Sequence, residues 1–249
     1  MDLNGCAALV TGGSGDLGRA IALALADGGA DIAVTWVDYK DGAVETCRRV
    51  AERGRRTAMV QLDLTDTDSL APAVETVIAE LGRLDILVNN AGWNAGVPFR
   101  DLDGLSIDIW DRIQDVNLRG PFFLARAAAP HLRARGAGRI VNVASVAGLR
   151  PAGSSIAYAV AKAGLIHLTR CLAVALAPEV TVNCVAPGLM EGTRMAKRLP
   201  VEVVESTRRL AVLQRSTAIG DVAAQVVAFC RADSVTGQVL NIDAGVHFH

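Results

Sequence analysis

The 249-residue sequence predicts an α/β fold, a doubly wound and mostly parallel sheet of seven strands with helices on both faces. Three observations carry this. Short apolar runs recur along the chain, amphipathic stretches with three- and four-residue apolar steps separate them, and a glycine-rich turn joins the first run to the first amphipathic stretch. Hydrophobic residues make up 51% and charged residues 20%, enough apolar surface to offset the entropy of ordering, so disorder is excluded.

The elements follow in order. Ala7–Val10 is apolar throughout, as a strand covered on both faces requires, and Leu17–Ala26 then places apolar residues at helical steps. The same alternation gives strands at Ile32–Val37, Ala58–Leu62 and Ile86–Val88, separated by helices at Ala43–Arg53 and Ser69–Leu81. A long helix over Ile109–Leu132 precedes a strand at Ile140–Val143, and a helix over Tyr158–Leu176 precedes a strand at Val180–Val185. A helix at Asp221–Cys230 and a strand at Val239–Ile242 close the series. Neither a Pro/Ser-rich linker nor a repeat interrupts it, so a single domain is expected over residues 1–249. The least regular stretch, 187–214, follows a strand end, where α/β folds bind ligands, and is expected to be a substrate lid. Its Leu189, Met190, Met195 and Leu199 beside Arg194, Lys197 and Arg198 suit either a mixed pocket or a solvated amphipathic helix.

A net charge of -1 leaves no basic excess, which argues against nucleic acid and membrane surfaces as partners. Cys6, Cys47, Cys171, Cys184 and Cys230 are far apart, with no metal-ligand spacing, and read as small buried hydrophobes in a reducing compartment. No basic stretch with a cleavage site precedes Cys6–Val10 and no apolar run reaches membrane-spanning length, so a cytoplasmic location is expected.

After the first strand comes Thr11-Gly12-Gly13-Ser14-Gly15-Asp16-Leu17-Gly18, and then a helix begins. Strand, glycine turn and helix start present free backbone N–H groups and a helix dipole to a pyrophosphate, the arrangement of a Rossmann dinucleotide site. No Lys-Ser/Thr pair follows the glycines, which excludes a P-loop ATPase. Asp38 lies about twenty residues beyond Gly18, the distance of a ribose-binding carboxylate, although Asp is also a common turn residue.

Only two tyrosines occur, and one of them, Tyr158, stands four residues before Lys162 in a helical pattern, one turn apart on one face. A free phenol, with a pKa of about 10, is no base near neutral pH. The lysine ammonium and an oxidised nicotinamide would lower it, letting Tyr158 exchange a proton while hydride moves. Ser145, closing the strand before, offers a hydroxyl to the substrate oxygen.

Taken together, these motifs make the chain resemble the roughly 250-residue branch of the short-chain dehydrogenase/reductase family over essentially its whole length. The ordered set is Thr11–Gly18, Asp63, Asn89-Asn90-Ala91-Gly92, Asn117, Ser145, Tyr158, Lys162 and Pro187-Gly188. The resemblance implies a catalytic tetrad of Asn117, Ser145, Tyr158 and Lys162, with Asn117 holding a water through which Lys162 relays protons. It implies cofactor contacts from Gly12, Ser14, Asp16, Leu17, Gly18, Asp38, Asp63, Leu64, Asn90, Ala91, Gly92, Tyr158, Lys162, Pro187, Gly188 and Thr193, and no metal site. A homotetramer built on helix faces around Ile109–Leu132 and Tyr158–Leu176, plus the segment ending at His249, is implied too.

The chain departs from the family pattern in places. Asp16 stands where the family usually has glycine, and its carboxylate is expected to turn outward from the phosphates and cap the helix at Leu17. Thr193 is one place later than the usual threonine, and the segment before Val235-Thr236-Gly237 looks shortened. NAD-preferring relatives tend to carry an acid where Trp36 stands, and NADP-preferring ones a base at Gly15 or Val37. Neither sign is present; Arg19 and Lys40 favour a 2′-phosphate and Asp38 opposes it, so NADP(H) is slightly favoured over NAD(H). The expected function is interconversion of a small-molecule carbonyl and a secondary alcohol. Its rivals are a non-catalytic nucleotide sensor, which has no chemical need for the tetrad, and an epimerase or dehydratase, whose family relatives carry a longer C-terminal substrate region.

Overall fold

The structure is a computed structural model that describes residues 1–248, apart from the side chain of Arg198. The expected parts of Arg198 and His249 in the lid and the oligomer therefore lie outside the described residues. Seven strands form one sheet: β1 (Ala7–Val10), β2 (Asp31–Trp36), β3 (Thr57–Gln61), β4 (Ile86–Asn89), β5 (Gly138–Val143), β6 (Val180–Pro187) and β7 (Val239–Ile242). Their order is β3-β2-β1-β4-β5-β6-β7, and every neighbouring pair is parallel. All carboxyl ends consequently emerge at one edge of the sheet. The order reverses between β1 and β4, where an α/β sheet opens its ligand crevice.

Side-chain alternation divides the core. Ala8, Val10, Ile32, Val34, Ile86 and Val88 point to one face, where they meet Ile21 and Leu25 of α1 (Asp16–Asp27) and Val222 and Val226 of α8 (Ile219–Arg231). Ala7, Leu9, Leu87, Ile140 and Val182 point to the other, against α3 (Leu70–Leu81) and α5 (Gly120–Ala134). Residues such as Leu9, Leu87 and Ile21 are fully buried, each stabilising the fold by about 1.5–3 kcal/mol. α2 (Lys40–Ala51) adds Ala43 and Val50 to the first layer.

The stretch expected as one helix over Ile109–Leu132 consists of α4 (Ile107–Gln114), a π-helical turn at Asp115–Arg119 and α5. The period of the apolar residues hardly changes through a single wide turn, so this break leaves little trace in the pattern. α6 (Ile156–Ala175) is 20 residues long and apolar enough to match a membrane span, contrary to the reading that no run reaches that length. Half of it is buried within the fold, and its apolar face packs beside β5 and β6 as a core helix does. The cysteines are free, and Cys6, Cys184 and Cys230 are buried as expected, whereas Cys47 is half-buried and Cys171 is exposed on the outer face of α6.

Between β6 and α8 the chain runs through the expected lid, which contains a further helix, α7 (Val201–Leu210), with no buried residue. The base of the excursion is closed where the Thr217 amide donates to the Leu189 carbonyl at 2.9 Å. Arg208 of α7 donates to both carboxylate oxygens of Glu191 at 2.6 Å, which holds the helix against the first residues of the lid.

Candidate active site

The carboxyl edge collects the motifs because the sheet is parallel throughout. The loop after β1 is shaped by close contacts at its glycines. Gly12 has φ +65°, and a Cβ on Gly18 would fall 2.3 Å from the Gly12 carbonyl oxygen, so the helix start and the turn interlock only without side chains. Gly15 is different: a Cβ there would meet nothing nearer than the Gly12 carbonyl oxygen at 3.4 Å. Gly15 occupies the N-cap position of α1 without a side-chain cap, and Asp16, Leu17 and Gly18 form the first turn, whose N–H groups have no intrahelical acceptor. The residues thus form a cradle of backbone donors suited to a pyrophosphate.

Two threonines hold this cradle: Thr11, which opens the motif, and Thr35, which the motif does not include. The Gly12 amide donates to Thr35 Oγ1 at 3.1 Å, and Thr11 Oγ1 accepts from the amides of Asn90 at 3.0 Å and Ala91 at 2.9 Å. Asn90 Nδ2 returns a bond to the Thr11 carbonyl at 2.8 Å, so the loops after β1 and β4 are stitched across the crevice.

Asp16 does not cap the helix. It is the first helical residue, and its Oδ2 accepts the amide of Arg194, in the lid, at 2.7 Å. Its carboxylate engages a partner 178 residues distant that no local pattern reveals.

Farther along the edge, Asp38 is exposed after β2, and Asp63 Oδ1 accepts from the amide and hydroxyl of Thr65, both at 2.9 Å. Leu64 beside it is buried. Gly188 follows β6 and is packed so tightly that a Cβ would lie 2.8 Å from Asp243 Cβ and 2.9 Å from Thr217 Oγ1. Thr193 is buried, and its hydroxyl is engaged within the lid, donating to the Met190 carbonyl at 2.9 Å and accepting the Ala196 amide at 3.1 Å.

Asn117, Ser145, Tyr158 and Lys162 meet where β4 and β5 end and α6 begins. Ser155 starts that helix, its Oγ accepting the Tyr158 amide at 3.2 Å, which fixes Tyr158 in the first turn. Ser145 lies near enough to the phenol for its hydrogen bond to pull the phenol pKa down, but burial outweighs it and pushes Tyr158 up to about 12. The expectation that Lys162 lowers this pKa is therefore not met by the protein alone. Lys162 Nζ donates to the Val143 carbonyl at 2.9 Å and sits 5.6 Å from the centre of the Tyr158 ring, and burial lowers its own pKa to about 8. A lysine so desolvated gives the phenol less positive charge than a solvated one would.

Asn117 lies in the π turn between α4 and α5 and is fully buried. Its Nδ2 donates to the Trp93 carbonyl at 2.6 Å and the Ile113 carbonyl at 2.9 Å, while its Oδ1 has no partner among the described residues. A Cβ on Gly92 would lie 3.0 Å from that Oδ1 and 3.7 Å from Lys162 Nζ, so both groups border the space beside Gly92. Beneath them Asn89 Nδ2 donates to Asn142 Oδ1 at 2.9 Å, and Asn142 Nδ2 donates to Thr169 Oγ1 at 2.9 Å, tying β4, β5 and α6 together. Trp93 and Trp110 pack with Tyr158 around Ile113, Ala157 and Ala161.

This fold and this edge define a dinucleotide-dependent oxidoreductase architecture, and sequence comparison agrees. A family model described as Enoyl-(Acyl carrier protein) reductase matches residues 13–247. The "Granaticin polyketide synthase putative ketoacyl reductase 2" of Streptomyces violaceoruber is 38% identical over 96% of this chain and 95% of its own length. A short chain dehydrogenase from Burkholderia cenocepacia solved in complex with NADP superposes with a TM-score of 0.91, at 37% identity over 99% of both chains. Carveol dehydrogenase from Mycobacterium avium in complex with NAD gives 0.89 at 28% identity, covering 98% of both chains. The chain belongs to the short-chain dehydrogenase/reductase family, and it is a nicotinamide-dependent oxidoreductase that interconverts carbonyls and alcohols.

Proposed function

We propose that this protein is a ketoreductase acting on a small-molecule ketone or its secondary alcohol, with Tyr158 as general acid/base and NADP(H) as the preferred cofactor. The observation that carries it is the meeting of Ser145, Tyr158, Lys162 and Asn117 at the edge where the glycine cradle opens. The dinucleotide fits that cradle: Gly12, Ser14, Asp16, Leu17 and Gly18 would take the pyrophosphate through backbone donors, and Asp38 and Tyr39 would border the adenosine ribose. Asp63 and Leu64 would receive the adenine, and Asn90, Ala91 and Gly92 would line the channel. Pro187, Gly188 and Thr193, with Tyr158 and Lys162, would lie about the nicotinamide ring and its ribose. When bound, the cofactor supplies or accepts hydride and, oxidised, adds a positive charge beside the phenol.

The protein's own residues do the rest. Ser145 Oγ hydrogen-bonds the substrate oxygen, and Tyr158 gives that oxygen a proton as it gains negative charge, or removes one in the oxidation direction. Lys162 would return the proton through a water held by Asn117 Oδ1, which is buried and has no partner among the described residues. Residues 187–214 form the lid of a single domain over residues 1–249, and Asn94 Nδ2 reaches Met195 Sδ at 3.5 Å across the mouth of the site. Exposed Phe122 on α5 and Val160 and Val174 on α6 support a homo-oligomer, a tetramer by family likeness. Five free cysteines suit a reducing, cytoplasmic setting. A panel of ketones, sugars, steroids and β-ketoacyl thioesters assayed for loss of reduced-nicotinamide absorbance tests the reading. Turnover of a ketone supports it, and inertness toward every carbonyl class rejects it.

A further inference from the structure

A 2′-phosphate carries close to two negative charges and needs cationic donors where β2 ends. Of the cations near that end, Arg19 is engaged, donating to Thr46 Oγ1 at 3.1 Å and to the Gly42 carbonyl at 3.3 Å. Lys40 has no hydrogen bond or ion pair among the described residues, and its only hold is a long contact over Trp36, 5.8 Å from the ring centre. Gly15 contributes no charge, and Asp38 and Asp41 are of the wrong sign.

Arg194 differs from Lys40 in being held in place. It is exposed, and among the described residues its guanidinium makes no hydrogen bond and no ion pair. Two contacts nevertheless fix it: its amide is held by Asp16 at 2.7 Å, and its guanidinium lies 4.2 Å from the centre of the Tyr39 ring. Tyr39 is seated in turn, since a Cβ on Gly42 would fall 2.2 Å from Tyr39 Cε1 and 2.4 Å from the Ser14 carbonyl oxygen. Ring and phosphate loop therefore share one neighbour, and the stacked guanidinium is carried across the loop to the adenosine end of the crevice. Stacking holds the plane of a guanidinium while leaving its N–H fork free for an anion.

We propose that Arg194, a lid residue, binds the 2′-phosphate of NADP(H), with Asp16 and Tyr39 as its positioning residues. This rests on the reading that the cleft takes NADP(H). The lid thereby supplies the cation that the phosphate loop lacks, and Asp16 contributes by placing it. Cofactor choice and lid closure become one event.

Dissociation constants of NADPH and NADH, by nicotinamide fluorescence on the full chain, test it, with adenosine 2′,5′-bisphosphate and ADP as probes lacking the reactive ring. Arg194→Ala is expected to weaken NADPH and the bisphosphate about tenfold or more and to leave NADH and ADP within about twofold. Arg194→Lys should recover part of the loss, and Asp16→Ala should repeat it more weakly. Circular dichroism confirms that each variant folds. If the unaltered protein prefers NADPH but Arg194→Ala weakens both cofactors equally or neither, Arg194 has no such role and the NADP reading stands. A tenfold preference of the unaltered protein for NADH removes both.

Discussion

Lys162 Nζ donates to the carbonyl of Val143, the last residue of β5, at 2.9 Å, so the ammonium is anchored to the sheet and only grazes the Tyr158 ring. Burial holds its pKa near 8 against an ordinary 10.5. The unfolded chain keeps this proton up to the higher value and the folded chain releases it near the lower, so in that window the unfolded state binds more protons and stability rises with pH. The contribution is complete above the unfolded pKa and is lost as pH falls through the folded one.

Lys162→Met removes that dependence. The difference in unfolding free energy between the unaltered protein and this variant, from urea titrations at several pH values, is expected to shift by about 3 kcal/mol in favour of the unaltered protein from about pH 8 to about pH 10.5. A difference that stays flat contradicts a desolvated lysine.

The phenol behaves in the opposite sense. With only two tyrosines in the chain, Tyr39→Phe leaves Tyr158 as the sole titrating phenol. Its ultraviolet titration in the cofactor-free protein is expected to have its midpoint near 12, above that of free tyrosine, and adding oxidised cofactor is expected to move it down. A cofactor-free midpoint below 10 would show that protein charges, not burial, govern the site.

Glycines of the phosphate loop should divide sharply. Gly18→Ala drives a methyl to 2.3 Å from the Gly12 carbonyl oxygen and is expected to abolish cofactor binding measured by fluorescence, whereas Gly15→Ala, with 3.4 Å of room, should keep it within a few-fold. Equal effects of the two substitutions would mean that the cradle is not built as described.

Asn117 joins fold to chemistry, because its amide bonds the Trp93 and Ile113 carbonyls while its Oδ1 stays free for a water. Asn117→Ala removes the amide that bonds the Trp93 and Ile113 carbonyls, so a loss of about 1 kcal/mol in unfolding free energy is expected together with a fall in turnover. Unchanged turnover in a folded variant would remove the proton relay.

Most of the fold was legible because parallel strands buried on both faces are apolar throughout, which is why runs such as Ala7–Val10 and Ile86–Val88 fall within the observed strands. The helices that cover them show their period plainly. α7 did not stand out: it is amphipathic but only ten residues long, it buries no residue, and it lies inside the stretch whose pattern is least regular. In the site, Tyr158 and Lys162 were readable from one helical turn, and Gly12 and Gly18 from the strand-to-helix junction. Thr35 was not, and neither were the partners of Thr11 and Asp16, because these contacts join residues 23 to 178 apart in the chain. The rise of the Tyr158 pKa is not legible in the spacing, which reveals which charges are near but not how much water the fold removes.

The central claim is that the Tyr158 hydroxyl transfers the proton that accompanies hydride transfer, and Tyr158→Phe removes that one atom group while keeping the ring. Steady-state turnover of an accepted ketone, followed by reduced-nicotinamide absorbance and paired with cofactor affinity, is the direct measurement. kcat is expected to fall by about two to four orders of magnitude with cofactor affinity nearly unchanged. Turnover within a few-fold of the unaltered protein would contradict it.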